Sequence, residues 1–246
     1  TVLDNVIDLN YYPTEEARKS NMTHRPVGLG TMGWHDMFYE FNVNYGSDDA
    51  IRISDEIYEH INYGTTHFRF ARIESLYDRT ITVNGVAKAF AMTGWRIGYI
   101  GAPKWVAKAC NKMQGQITSG ANSIAQRAAI TALEESPERI KYMVDEFKIR
   151  RDLIIDLVSQ INGFKVSQPP SGAFYIFPEV SELFGKTFGG QLINNANDLS
   201  MLILEKAHVA TVPGDAFGYP NCIRISYSAS REQIKEAISR IKELLT

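Results

Sequence analysis

The apolar and polar positions of this chain follow two patterns, one of helical period and one of period two. From Ser136 onward, Ile140, Met143, Val144, Phe147, Ile154, Leu157, Val158 and Ile161 fall on one helical stripe, with Pro137 in the first turn and Gly163 just past the end. The same period returns at Ile234, Ala237, Ile238, Ile241 and Leu244, behind a capping box of Ser230 and Gln233. Alternation of period two opens "IRISDEIYEHINYG" at residue 51 and fills "TITVNG"; each run predicts a strand that ends in polar or aromatic residues. Shorter strand candidates follow in "FKVSQ", "AFYIFPEV", "HVATVPG" and "CIRISYS", an α+β pattern. Near the amino terminus, Thr14 is placed to cap a helix whose first turn carries Glu15 and Glu16. Gly33, Met37 and Phe41 share a face further on, so helices with turns are predicted from Thr14 to about Asn42.

Composition narrows the partners. With 246 residues, 44% of them hydrophobic, the chain can build one large core or two smaller ones, and a net charge of -2 offers no footprint for nucleic acid or a membrane surface. No apolar run is long enough to span a bilayer and no secretory signal is visible, so a cytoplasmic location is expected. Cys110 and Cys222 are isolated, and His24, His35, His60, His67 and His208 lack metal-ligand spacing, so neither a disulfide nor a metal site is expected. "GLGTMG" at 28–33 has no strand-helix unit around it and is not read as a dinucleotide loop.

Strands that end in chemically loaded residues suit an open α/β sheet, where ligands gather at the carboxyl ends of strands. "TVNGVAKAFAMTGWRIGY" places Lys88 on a turn after the second strand, with Arg96 eight residues later. A lysine amine can hold an aldehyde cofactor as a Schiff base, and such a cofactor is an electron sink only while a carboxylate keeps its ring nitrogen protonated. Asp55 is the candidate acid, and Tyr58, three residues on, offers a phenol to a ring oxygen. Arg96 suits a phosphate, and Arg224 in "CIRISYS" suits a substrate carboxylate, because a guanidinium donates two parallel hydrogen bonds to an oxyanion.

These segments carry a resemblance. "SDEIYEHINYG", "VNGVAKAFAMTGWRIGYIGAP", "PPSGAFYIFP", "VATVPGDAFG" and "IRISYS" occur in the order and spacing of a fold-type I, pyridoxal-phosphate-dependent aminotransferase of the aspartate aminotransferase-like subgroup. The resemblance spans about residues 53–246. It implies Lys88 as the Schiff-base and proton-shuttling lysine, Asp55 as the pyridinium partner, Tyr58 at the 3-oxygen, Arg96 at the phosphate and Arg224 at the substrate carboxylate. It also implies a homodimer in which Ser119 and Asn122 of "QITSGANSIAQ" approach the partner's site, with an amino acid and a 2-oxo acid as substrates. The family's amino-terminal phosphate turn, stacking aromatic and asparagine are not recognisable before Asp55. Residues 1 to about 50 resemble instead a late stretch of the ribonucleotide reductase large subunit, without its radical cysteines, and the joint falls between residues 47 and 60.

The expected organisation is therefore a helical segment at 1–52, a remnant of the cofactor-binding large domain at 53–140 and a smaller α+β domain at 141–246, together a truncated α/β type I transferase. Two alternatives stand beside the aminotransferase: a catalytically inactive mosaic acting as a scaffold, and a related pyridoxal-phosphate lyase that shares Lys88 and Asp55.

Overall fold

Both period-two runs become strands in the computed structural model, which describes residues 52–246. The chain divides into two units, Thr1–Arg52 and Ile53–Thr246. The helices expected between Thr14 and Asn42 lie outside the described residues. Strands β1 (Arg52–Asp55), β2 (Thr80–Gly85) and β3 (Gly98–Gly101) form a three-stranded sheet with β2 in the centre. The β2 and β3 strands are antiparallel, and Gly85 faces Gly98. That glycine pair is a spacing device: a Cβ on Gly85 would meet the Ile97 carbonyl at 3.0 Å and Gly98 Cα at 3.1 Å. Helices α1 (Lys104–Ile117) and α2 (Ser123–Glu134) follow, α2 capped by the Asn122 side chain, which accepts from Ala125 N at 3.0 Å.

The long stripe becomes a 3-10 turn, Pro137–Ile140, running into helix α3, Lys141–Ser159. Gly163 lies past its end in the left-handed region, φ 91°. Strands β4 (Tyr175–Ile176), β7 (Val212–Pro213) and β8 (Ile223–Ser226) form a second sheet in the order β4-β8-β7, antiparallel throughout, and β5 (Thr187–Phe188) pairs with β6 (Gln191–Leu192) as a hairpin. These ladders are shorter than the alternation suggests. "FKVSQ" pairs only through Lys165 opposite Glu179. Helix α4 (Ala196–Leu202), extended by a π turn to Ala207, and helix α5 (Arg231–Leu244) complete the chain. The Ser230 and Gln233 capping box forms as the sequence predicts.

The main core lies where α3, α4 and α5 cover the second sheet, and it contains Ile154, Val158, Leu199, Leu202, Ile223, Ile225, Ile234, Ile238 and Ile241. Tyr227 is wholly buried within it and donates its hydroxyl to the Ala173 carbonyl at 3.2 Å; Tyr63 donates to the same carbonyl. Burial raises both phenols, so they stay neutral donors.

Helices α3 and α5 are also joined by charge. Glu146 accepts from Arg150 at 2.8 Å and from Arg231 Nε at 3.0 Å, and the two guanidinium groups hold its carboxyl at about 2. A depressed acid contributes stability that is complete above its ordinary value near 4.5 and disappears as pH falls toward about 2. Glu146→Gln is therefore expected to melt slightly earlier than the parent at neutral pH. The gap should have the small size of a partly exposed ion pair and close by about pH 2 in a pH series of melting curves.

Candidate functional site

Lys88 owes its position to β2. The strand ends at Gly85, buried Val86 and Ala89 anchor the following turn, and the amine projects from between them. Its Nζ stands 5.8 Å from the centre of the Tyr58 ring and 5.6 Å from that of Phe174. Among the described residues no carboxylate forms an ion pair with it. An ammonium over two aromatic faces is held by their quadrupoles and shielded from water on those sides.

Tyr58 lies in the turn after β1 and donates its hydroxyl to Tyr175 Oη at 3.2 Å, while its ring packs edge-on against Phe174 with centroids 5.3 Å apart. Burial, then the Tyr175 hydrogen bond, push its phenol far above the ordinary tyrosine value; Arg224 pulls it down and Asp55 pushes it up. Tyr58 is thus a neutral donor within the electrostatic reach of both charges. Arg224 reaches the same cluster from β8. Its guanidinium carbon lies 4.4 Å from the centre of the Tyr175 ring and 4.4 Å from that of the Phe217 ring, so the cation is held against two aromatic rings.

The backbone that presents Phe174 and Tyr175 is fixed by a bridge between two distant segments. Ala173 adopts a left-handed φ of 58°, its N–H donates to the Ile61 carbonyl at 2.9 Å, and Tyr63 N donates to Ser171 O at 2.9 Å. Gly172 permits this approach, because a Cβ there would lie 2.7 Å from the Ile61 carbonyl oxygen. Asp55 and Tyr58 open with Gly172 and Ala173 onto a cleft of about 560 Å³. Asp55 Oδ1 accepts from Ile57 N at 3.1 Å.

Four of the five residues singled out in the sequence, Lys88, Tyr58, Asp55 and Arg224, therefore meet around Tyr58. Arg96 does not join them. Its Nη1 donates to Thr93 O at 3.1 Å and its side chain is exposed, in a turn where its own φ is 52°. Asn122 serves as the α2 cap and Ser119 sits at φ 63°. Sequence reasoning missed Phe174, Tyr175 and Phe217, although "GAFYIF" and "GDAFG" carry them beside the expected strands. It also missed an ionic network on the cleft wall. Glu56 is 3% exposed, with the Ser54 hydroxyl donating to it at 3.2 Å and His67 Nε2 at 3.3 Å from its carboxylate. Glu59 accepts from Arg69 at 2.5 Å and from Asn84 at 2.7 Å. Burial alone would raise the Glu59 carboxyl, but those hydrogen bonds outweigh it and hold the group below its usual range. Oxygens of Glu56 and Glu59 and a nitrogen of His67 lie within 4.8 Å of one another, and the Arg69 guanidinium already supplies the cation that neutralises them.

The profile of the aminotransferase class I and II family matches residues 46–241, and that of the ribonucleotide reductase barrel domain matches residues 1–71. The two matches overlap at 46–71, across the joint expected from the sequence. A bifunctional aspartate aminotransferase and glutamate/aspartate-prephenate aminotransferase of Petunia hybrida is 51% identical over 198 residues, covering 78% of this chain and 41% of that protein. A probable aspartate/prephenate aminotransferase of Rhizobium leguminosarum bv. phaseoli is 46% identical, covering 77% of this chain and 48% of the relative. Among solved structures, the aspartate aminotransferase of Rhizobium meliloti superposes with a TM-score of 0.75 at 39% identity, over 86% of this chain and 52% of that one. This chain thus spans about half the length of the relatives it matches. No helix among the described residues is long and apolar enough to cross a membrane.

Proposed function

This chain belongs to the class I and II aminotransferase family, and on that premise we propose that it carries the lysine-bearing part of a pyridoxal 5'-phosphate-dependent aminotransferase, which moves an amino group between an amino acid and a 2-oxo acid. One observation carries the reading: the Lys88 amine stands over Tyr58 and Phe174, and Tyr58 is linked through Tyr175 to an Arg224 held against the Tyr175 and Phe217 rings.

The residues present fit the ring and amine end of such a cofactor. They offer a lysine without an ion-pair partner among the described residues, a neutral phenol, and an acid that shares the cleft with that phenol. When bound, the cofactor supplies an electron sink for the charge that develops at the substrate α-carbon. Lys88 would hold the cofactor through its amine, and the same amine would carry the proton to and from that carbon. Asp55 keeps the ring nitrogen protonated. Tyr58 donates a hydrogen bond to the 3-oxygen, the role its raised phenol suits. Arg224 would clamp the substrate carboxylate with its paired N–H donors, and Arg96, which spends one donor on Thr93, is the candidate for the phosphate.

Around this centre we place a large-domain remnant at 53–140, a small domain at 141–246, a homodimer bringing Ser119 and Asn122 toward the partner's site, and a cytoplasmic location that suits two unpaired thiols. The reductase-like match over residues 1–71 favours one second reading, a mosaic in which the same fold serves only as a scaffold.

Arg224→Ala separates the roles. Loss of a two-pronged charge-assisted contact costs about 3 kcal/mol, or roughly a hundredfold in affinity for an amino acid. Cofactor capture on Lys88 should survive unchanged. Amino-acid titration of the loaded protein, followed by its visible spectrum, makes the measurement; loss of cofactor capture in this variant would remove Arg224 from the substrate role.

A further inference from the structure

Glu59 takes no part in the chemistry assigned above, yet it joins the two turns that carry Tyr58 and Lys88. It directly follows Tyr58 in the turn after β1, and Asn84 lies in β2 four residues before Lys88. The Glu59 side chain is 9% exposed, and Asn84 is buried. Asn84 Nδ2 donates to Glu59 Oε1 at 2.7 Å, while Asn84 Oδ1 accepts from Gly85 N at 2.7 Å. The second Glu59 oxygen accepts from Arg69 Nε at 3.1 Å and from Arg69 Nη2. A carboxylate this far from water is costly unless it is paired, and Arg69 supplies the pairing charge. The Asn84 amide adds what a counter-charge lacks, a fixed direction.

We propose that Glu59 and Asn84 form a positioning clasp that sets the Lys88 amine against the Tyr58 ring, with Arg69 as the counter-charge that lets the Glu59 carboxylate stand there. Neither residue is catalytic; each acts through the turn it holds. The path from clasp to amine is short and stiff. Gly85 and Val86 are buried between Asn84 and Lys88, and the turn closes with Phe90 N donating to Val86 O at 3.3 Å and Ala91 N donating to Lys88 O at 3.2 Å. On the other side, Glu56 N donates to Val83 O at 2.8 Å and Glu59 N to Glu56 O at 2.9 Å, so the Tyr58 turn is pinned to the same strand. An ammonium over a ring face has a shallow, weakly directional energy well, and the 5.8 Å contact between Lys88 and Tyr58 does not hold itself in register. A hydrogen bond between near neighbours of both partners does. The use made of Lys88 rests on the aminotransferase reading; the clasp itself does not.

The test exchanges donor and acceptor in the full chain. Asn84→Asp keeps the side chain's shape and an acceptor for Gly85 N, but sets a second carboxylate against Glu59. Adding Glu59→Gln restores one amide and one carboxylate with their places reversed and the net charge of the single variant's parent regained. Trace acetylation of the lysines with peptide mapping, and amide exchange over residues 85–91, read the position of Lys88 without any cofactor. Asn84→Asp should raise acetylation of Lys88 relative to exposed Lys108 several-fold, roughly fivefold, and speed the exchange about tenfold, while exchange of the 141–246 core stays unchanged. The double variant should return to within about twofold of the parent in both signals. Parental signals in Asn84→Asp, or a double variant as disturbed as the single one, overturn the proposal, because residues that act independently give losses that sum. Where Asn84→Asp alone fails to fold, the double variant decides: folded with parental Lys88 signals it upholds the clasp, and unfolded it overturns it. Cofactor capture answers separately. A parent that captures no cofactor on Lys88 counts against the aminotransferase reading, and the acetylation and exchange signals still decide the clasp. Equal capture rates in the parent, Asn84→Asp and the double variant overturn the clasp and leave that reading standing.

Discussion

Lys88→Ala is expected to abolish covalent capture of pyridoxal 5'-phosphate while leaving the fold intact. The side chain removed is the amine that stands 5.6 Å and 5.8 Å from two aromatic rings, and the described residues place no second lysine over the Tyr58 ring to take over. The linkage needs a primary amine, so the loss should be complete rather than graded, and Lys88→Arg, which keeps the charge but cannot form the linkage, should behave like alanine. Stability should change little. Contacts between an ammonium and exposed or half-exposed rings are worth about 0.5–1 kcal/mol each, and among the described residues Lys88 has no ion-pair partner to be orphaned. Borohydride reduction followed by intact mass, beside a melting curve of the apoprotein, measures both quantities.

Gly214→Ala is expected to damage the same site through the fold. A Cβ at this position would lie 2.0 Å from the Tyr219 carbonyl oxygen and 2.6 Å from that of Cys222, both backbone atoms that cannot swing aside. The turn is closed by Gly214 N donating to Cys222 O at 2.8 Å and Tyr219 N donating to Gly214 O at 3.0 Å, so relieving the clash breaks the hydrogen bonds that define it. The expected cost is about 3 kcal/mol or more, a fall in melting temperature of roughly 10 °C for a chain of this size. Phe217 rides on this turn and Cys222 leads into β8, so the stacking of Arg224 should loosen too. Gly115→Ala is the control. It sits within α1, where an added Cβ would meet nothing within 4 Å, and the change should stabilise the protein by about 0.5–1 kcal/mol.

The long-range elements were legible because their signals are redundant. Helix α5 has both an apolar stripe and a capping box, and α3 has a stripe with a proline before it and a glycine after it. The ladders were less so. Alternation records which face of an extended segment is buried, and says nothing of where pairing stops. In "AFYIFPEV" the left-handed turn at Ala173 and the proline at 178 leave a ladder of only Tyr175 and Ile176. At the site, Lys88 and Arg224 stood out as the lone lysine and the lone arginine of their segments, whereas Asp55 and Tyr58 share theirs with Glu56, Glu59 and Tyr63 and were singled out only by the motif. Phe174, Tyr175 and Phe217 were not, because an aromatic in a strand or turn reads first as core. Their role as ring faces for Lys88 and Arg224 emerges only once segments far apart in the sequence, those of Tyr58, Lys88, Phe174 and Arg224, are brought together. Arg96 shows the converse: its spacing from Lys88 fits a phosphate contact, while its guanidinium rests on Thr93.

The most direct measurement of the central claim, that one lysine is set apart by this cluster, is a peptide map after limiting cofactor and borohydride. If the Tyr58, Phe174 and Arg224 assembly selects its amine, the reduced cofactor should be found on the peptide containing Lys88 and nowhere else in comparable yield. Label scattered over the exposed lysines in proportion to their accessibility would contradict it.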